Sequence, residues 1–194
     1  MRRTDINVPV ALLLDANLTN ADRLLWMIMR RDGSDSPSAC AKTKLASSAG
    51  LARKTVYNAL ERLTAAGWCE DSNGKPNAII NRTVDPINWV KITSELLDSE
   101  QLQPRDIVMY GLLQHKNRRD KPGETTYKRF SEFVQVCVKT ARRAFQALEK
   151  AGFLNASQKN QKAPISFTLD SPSAKYCREQ IRLIEMRLQR PGGH

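Results

Sequence analysis

Histidine is almost missing from this 194-residue chain, which contains only His115 and His194. Neither stands beside a candidate nucleophile, so the usual proton-transfer side chain at neutral pH has nothing to act on. Glycine-rich loops are absent too. The segment "SACAKTK" (38–44) holds a Lys-Thr pair but lacks the glycine frame of a phosphate-binding loop. Cysteine is sparse and scattered: Cys40, Cys69, Cys137 and Cys177 show no C-x-x-C spacing. That excludes a zinc-ligand pattern, and a disulfide framework is not indicated at this length. Cys69 and Cys137 are expected to be small core residues. Long apolar runs are lacking as well. The stretch Val8–Leu14, interrupted by Pro9, is far too short to span a bilayer, and no secretory cleavage pattern accompanies it. Together these absences leave a cytoplasmic binding protein as the expectation, with no enzymatic activity, metal or cofactor.

Positive charge is what the chain has in excess. Its 31 Lys and Arg against 20 Asp and Glu give a formal net charge of +11. Such a balance points to a polyanionic partner, nucleic acid more often than an anionic membrane surface. The excess is uneven: residues 1–90 carry a net +3 and residues 91–194 a net +8. The few acidic residues are expected on helix surfaces.

The chain also says one thing twice. "KTVYNALERLTAAG" (54–67) returns as "KTARRAFQALEKAG" (139–152), with six of fourteen positions identical. "LTNADRLLWMIMR" (18–30) likewise faces "LQPRDIVMYGLLQ" (102–114), sharing Leu18/Leu102 and Asp22/Asp106 and setting Trp26 opposite Tyr110. Further back, "LLD" recurs at 13–15 and 96–98. Self-similarity outranks local motifs in reading a fold, and it implies two copies of one small domain. The expected division is residues 1–86, residues 87–171, and a C-terminal helix and tail over 172–194, with a linker around Asp85–Trp89.

Periodicity predicts the elements of each copy. In the first, Asn20 caps a helix to about Arg31 whose buried stripe is Leu24, Leu25, Ile28 and Met29. A turn-rich loop follows, then a helix, a tight turn at Gly50, and a longer helix closed by Gly67. Val56, Leu60 and Leu63, spaced four and three apart, face inward. "WCEDSNGKPNAIINRTV" reads as a β-hairpin. The second copy follows the same plan: a helix over about Arg105–His115, a short one near Tyr127–Val134, and a longer one from Val138 to Ala151. Gly152 ends that last helix, and the hairpin "FLNASQKNQKAPISFTL" comes next. In the final segment Cys177, Ile181, Ile184 and Leu188 form a seam suited to a homodimer contact or to packing on the body.

Helix, turn, helix and hairpin is the winged-helix plan, and the turn "LASSAGLARKTV" with the exit "ALERLTAAGW" resembles that family. Ala46 is small where two helices cross, Gly50 allows the turn, and Leu51 and Val56 seal it. The likeness is fuller over 18–84 than over 102–169, where Ser131 and Gln135 replace Ala46 and Gly50. The lead-in "VPVALLLDANLTNADRLLWMIM" resembles winged-helix domains of plasmid and phage replication proteins. The resemblance implies an α+β, mainly α fold of two tandem winged-helix domains, with the second helix of each turn motif entering a DNA major groove.

On that plan the outward set of the first copy is Arg53, Lys54, Thr55, Tyr57 and Asn58, and that of the second is Lys139, Thr140, Arg142, Arg143 and Gln146. Arginine reads guanine bidentately, asparagine reads adenine, and lysine mostly meets phosphate. Lys75 and Lys159 with Lys162 sit at the hairpin tips, suited to phosphate. The bland alternative is that these charges are the solvated faces of surface helices. The expected function is a double-stranded-DNA-binding protein, nucleoid or plasmid associated, serving replication, partition or transcription. The rival is a tandem winged-helix interaction subunit of a chromosome-organising complex.

Overall fold

The computed structural model describes residues 5–33, 42–72, 75–79, 88–117, 123–160 and 163–170. The helix expected over 172–194, its seam and Lys162 lie outside the described residues. The chain is mixed α and β, mostly helical with small antiparallel sheets. Its first series of elements is β1 (Ile6–Pro9), α1 (Val10–Leu14), α2 (Asn20–Gly33), α3 (Lys42–Ala49), α4 (Arg53–Ala65), β2 (Cys69–Ser72) and β3 (Lys75–Ala78). The second is β4 (Trp89–Ile92), α5 (Ser94–Leu97), α6 (Pro104–Lys116), β5 (Gly123–Thr125), α7 (Tyr127–Phe133), α8 (Val138–Lys150), β6 (Leu154–Gln158) and β7 (Ile165–Leu169). The second series repeats the order of the first and adds β5, which pairs with β7 beside β6. The repeat in sequence is thus a repeat in structure. Of the linker expected around Asp85–Trp89, residues 85–87 lie outside the described residues, and Trp89 opens a strand.

The recurring letters are packing letters. Val56, Ala59, Leu60 and Leu63 of α4 are buried, as are Ala141, Ala144, Phe145 and Leu148 of α8. Trp26 meets Trp68 edge to face at 6.4 Å, and their counterparts Tyr110 and Phe153 repeat that contact at 6.3 Å. Such aromatic pairs add about 0.5–1.5 kcal/mol beyond the area they bury. The Trp26 indole N–H donates to the carbonyls of Trp68 and Ile79, satisfying a polar group inside the core.

Buried carboxylates start the two central helices. Asp22 and Asp106 are almost fully buried, although acidic residues were expected on helix surfaces. Asp22 accepts from the Thr19 N–H while the Thr19 hydroxyl accepts from the Asp22 N–H. Asp106 and Gln103 form the corresponding reciprocal box. These pairs satisfy donors that a helix N-terminus leaves open, and they complement its dipole. Thr19 is therefore the cap, correcting Asn20, whose side chain instead accepts from Arg23.

The same turn joins α3 to α4 and α7 to α8. Leu51 N–H donates to Ala46 O at 3.0 Å, and Val136 N–H to Ser131 O at 3.0 Å. Gly50 at its centre has φ +62°, and Gln135 adopts +54°. The geometry is kept although the glycine is lost, so the second half carries local strain of about 1–2 kcal/mol at Gln135.

The two halves meet along a strand ladder. β1 and β4 pair antiparallel with Ile6 opposite Ile92, Asn7 opposite Lys91 and Val8 opposite Val90. At the repeat offset, Ile6 corresponds to Val90, Asn7 to Lys91 and Val8 to Ile92. Ile6 thus faces the counterpart of Val8, Val8 faces the counterpart of Ile6, and Asn7 faces its own. Reciprocity of this kind is the mark of a two-fold axis, here an approximate one inside a single chain. A pair of equivalent grooves repeats the pattern. One lies between Leu13 and Phe133–Val136, the other between Leu97 and Ala49–Leu51. Helices α2 and α6 pack side by side beneath the ladder, and Trp26 and Met27 are buried beyond the expected stripe, Trp26 against Trp68 of its own half. Gly111 lets α6 lie close against α1 and β4: a Cβ there would lie 2.8 Å from the Leu13 side chain.

Two predictions follow from these contacts. Replacing Gln135 by Gly relieves the left-handed strain against a smaller loss of unfolded-chain restriction, for a net gain of about 0.5–1 kcal/mol in urea denaturation. An unchanged or lower midpoint would show that Gln135 is not strained. Tyr110 gives the second. Burial, reinforced by the charges of Asp170 and Glu95, pushes its phenol up to about 12 from 10.0. The fold therefore favours the neutral phenol, and that stability is complete below pH 10.0 and lost as pH rises through about 12. Relative to Tyr110→Phe, the parent should lose about 2–3 kcal/mol across that window, read by denaturant titrations at each pH.

Candidate nucleic-acid interface

With their apolar stripes fixed inward, α4 and α8 must turn their remaining faces to solvent. Arg53, Lys54, Tyr57 and Asn58 are exposed on α4, and Lys139, Arg142, Arg143 and Gln146 on α8. Thr55 and Thr140 are half-buried at the edge of each face. The expected outward sets therefore stand on two helices that occupy equivalent places in the two-fold arrangement. Lys159 is exposed just past β6. Lys75 begins β3, and its side chain, like Lys162, lies outside the described residues.

The helices are anchored differently. In the first half, Arg62 reaches back from α4 to α2, its Nε and terminal nitrogen donating to the Asp22 carboxylate at 2.8 and 2.7 Å. A planar fork on a carboxylate fixes direction as well as distance. That hydrogen bond holds the Arg62 guanidinium above its usual pKa. In the second half Ala147 stands at the equivalent position, and Arg105, from α6 itself, contacts Asp106 at 3.2 Å. So α4 is tied to α2 by charge, while α8 relies on the aromatic cluster of Phe130, Phe145 and Phe167.

Each outward face also carries a cation against a ring. The Lys42 ammonium lies 5.5 Å from the Tyr57 ring centre, and the Arg142 guanidinium 5.1 Å from that of Tyr127. Lys42 and Tyr127 are the first residues of α3 and α7. Reading the sequence helix by helix passed over both, because the partner lies on another element. The signal was available in the repeat, whose offset sets Lys42 opposite Tyr127 and Tyr57 opposite Arg142.

Cys137 is exposed, not a core residue, and it stands at the N-cap of α8. Its sulfur lies 3.1 Å from the Thr140 hydroxyl. That contact, with the backbone N–H groups of the first turn, holds the thiol below its usual pKa. Cys69 is buried. Among the described residues no cluster of His, Cys, Asp and Glu is set to hold a metal ion, and no helix is long and apolar enough to cross a membrane.

Thiolate fraction and access govern alkylation, so Cys137 should react with iodoacetamide at neutral pH well before Cys69. Thr140→Val should slow that reaction by raising the thiol toward its ordinary value. Equal rates with and without the Thr140 hydroxyl would show that the contact does not stabilise the thiolate. In comparisons with models of known protein families, with curated proteins and with solved structures, the chain matches none.

Proposed function

We propose that the chain is a tandem winged-helix protein that binds a specific double-stranded DNA site, without chemistry, as a replication, partition or transcription regulator. The observation that carries this reading is the pair of equivalent exposed faces on α4 and α8. Both follow the same left-handed turn and both are rich in groups that hydrogen-bond to base edges and phosphate. The excess of +11 supplies the long-range attraction such binding needs. In this reading each series of elements is one winged-helix domain, the β2–β3 and β6–β7 hairpins are the wings, and α4 and α8 lie in major grooves.

The approximate two-fold axis adds a constraint on the target. Helices related by such an axis read half-sites in opposite orientation, so one chain suffices for an inverted arrangement. Because the outward letters differ, the halves of the site differ too. Arg53 and Asn58 read bases in one half, Arg142, Arg143 and Gln146 in the other, and Lys75, Lys159 and Lys162 touch phosphate.

Binding sites selected from a random duplex pool, followed by salt titration, test this. Arg53→Ala or Asn58→Ala should cost about 1–3 kcal/mol on the preferred site and relax preference at one position. Lys159→Ala should weaken all sequences alike and reduce the salt slope by about one. A parent chain with little salt-dependent affinity for duplex DNA would instead favour the interaction-subunit reading.

A further inference from the structure

The two cation–ring pairs are the same contact with its partners exchanged. In the first half the ring (Tyr57) is on α4 and the cation (Lys42) comes from α3; in the second the cation (Arg142) is on α8 and the ring (Tyr127) comes from α7. The supporting ring of the second half is itself anchored. Tyr127 is half-buried, and its ring stands edge to face on buried Phe145 at 5.4 Å. Thr126 caps α7 beneath it, accepting from the Arg129 N–H at 3.1 Å. Tyr127 is thus a fixed plate under an exposed guanidinium. In the first half the ring of Tyr57 is itself exposed, and half-buried Lys42 lies against it.

Resting on the DNA-binding reading above, we propose that Tyr127 is a positioning residue that holds Arg142 ready for bidentate contact with a guanine. The exchanged pair makes the half-site under α4 prefer a thymine methyl against Tyr57. A free arginine must freeze several torsions to form a two-pronged contact. One already lying on a ring has fewer to lose. An exposed aromatic on α4 offers a groove an apolar surface instead, and the thymine methyl is the base-edge group that fits it. The side chains supplied by α3 and α7 then help set which base each reading helix selects, although neither need touch a base.

The test pairs a free-protein readout with a DNA one. In the free protein, Arg142 side-chain proton shifts should show the ring current of residue 127 in the parent and in Tyr127→Phe, and lose it in Tyr127→Leu. On DNA, Tyr127→Phe should keep the parent's preference. Tyr127→Leu should lower discrimination for guanine at one position of the α8 half-site by about two- to fivefold, the worth of an exposed cation–π contact. Thermal melting confirms that the variant is folded. In an Arg142→Ala background the same change should have no further effect on that position. Exchanging the first pair by Lys42→Tyr with Tyr57→Arg should move the α4 half-site toward guanine, and Tyr57→Arg alone should move it less. A sequence-blind loss in folded Tyr127→Leu, or an undiminished loss in the Arg142→Ala background, would overturn the positioning role while leaving DNA binding intact. Failure of the parent to bind any duplex would sink the DNA reading and this assignment with it, even with the ring current present.

Discussion

The β1–β4 ladder is the constraint from which the rest of the arrangement follows. Four residues from the start of each series pair so that Ile6 and Val8 meet Ile92 and Val90, with the side chains of that face buried. Alternation has a period of two, so slipping the register by one residue would turn every one of these side chains to solvent. That penalty fixes the register, and the register fixes the axis. Once strands are locked reciprocally, α2 and α6 must cross beneath them, and the turn motifs must fall on opposite sides. The ladder is short, and a two-stranded ribbon alone is marginal in water. Its stability comes from α6, which presses against β4 and α1 at Gly111.

A consequence is that α2 and α6 serve two masters. Each is the core helix of its own half and also the contact to the other half. Trp26, packed on Trp68 of its own half, and Met27 are as buried as the expected stripe of Leu24, Leu25, Ile28 and Met29. A helix buried nearly all round has little solvent to satisfy its N-terminal donors, so these must be met from within. Asp22 and Asp106 do this in both halves, and the burial of a carboxylate is tolerable because each accepts several hydrogen bonds and faces an arginine.

Much of this was legible in the sequence, for a stated physical reason. Helix stripes, the terminating glycines and the hairpins rest on local periodicity and on left-handed residues, which a chain displays whatever its partners do. Gly50, Gly67 and Gly152 all take positive φ where a turn was read. The ladder was not legible. β1 and β4 are four-residue strands, too short for alternation to stand out, and their pairing joins residues 9 and 89 at the nearest and 6 and 92 at the farthest. Cys137 was misplaced because a small side chain at a helix start looks like a core residue until the helix phase is known. The outward faces were legible because they are what remains when the stripes are removed. Their cation–ring partners were not, since Lys42 and Tyr127 come from helices of a different phase.

The repeat also shows which positions are free to diverge. Letters shared by α4 and α8 (Lys, Thr, Ala, Leu, Gly) either pack or end the helix, apart from the first two. Gln135 marks a limit of that freedom: the backbone turn is kept with a residue that costs energy there, because the helix crossing depends on the turn and not on the side chain. Tyr57 and Arg142 mark another. Changing one member alone would set two cations together in a Lys42–Arg pair or two rings in a Tyr127–Tyr pair, and the first of these repels. A cation facing a ring is retained in both halves only because both members differ together. What distinguishes the two helix faces is therefore a coupled substitution across two elements, and the chemistry each face offers is set jointly by the helix that carries it and the helix before it.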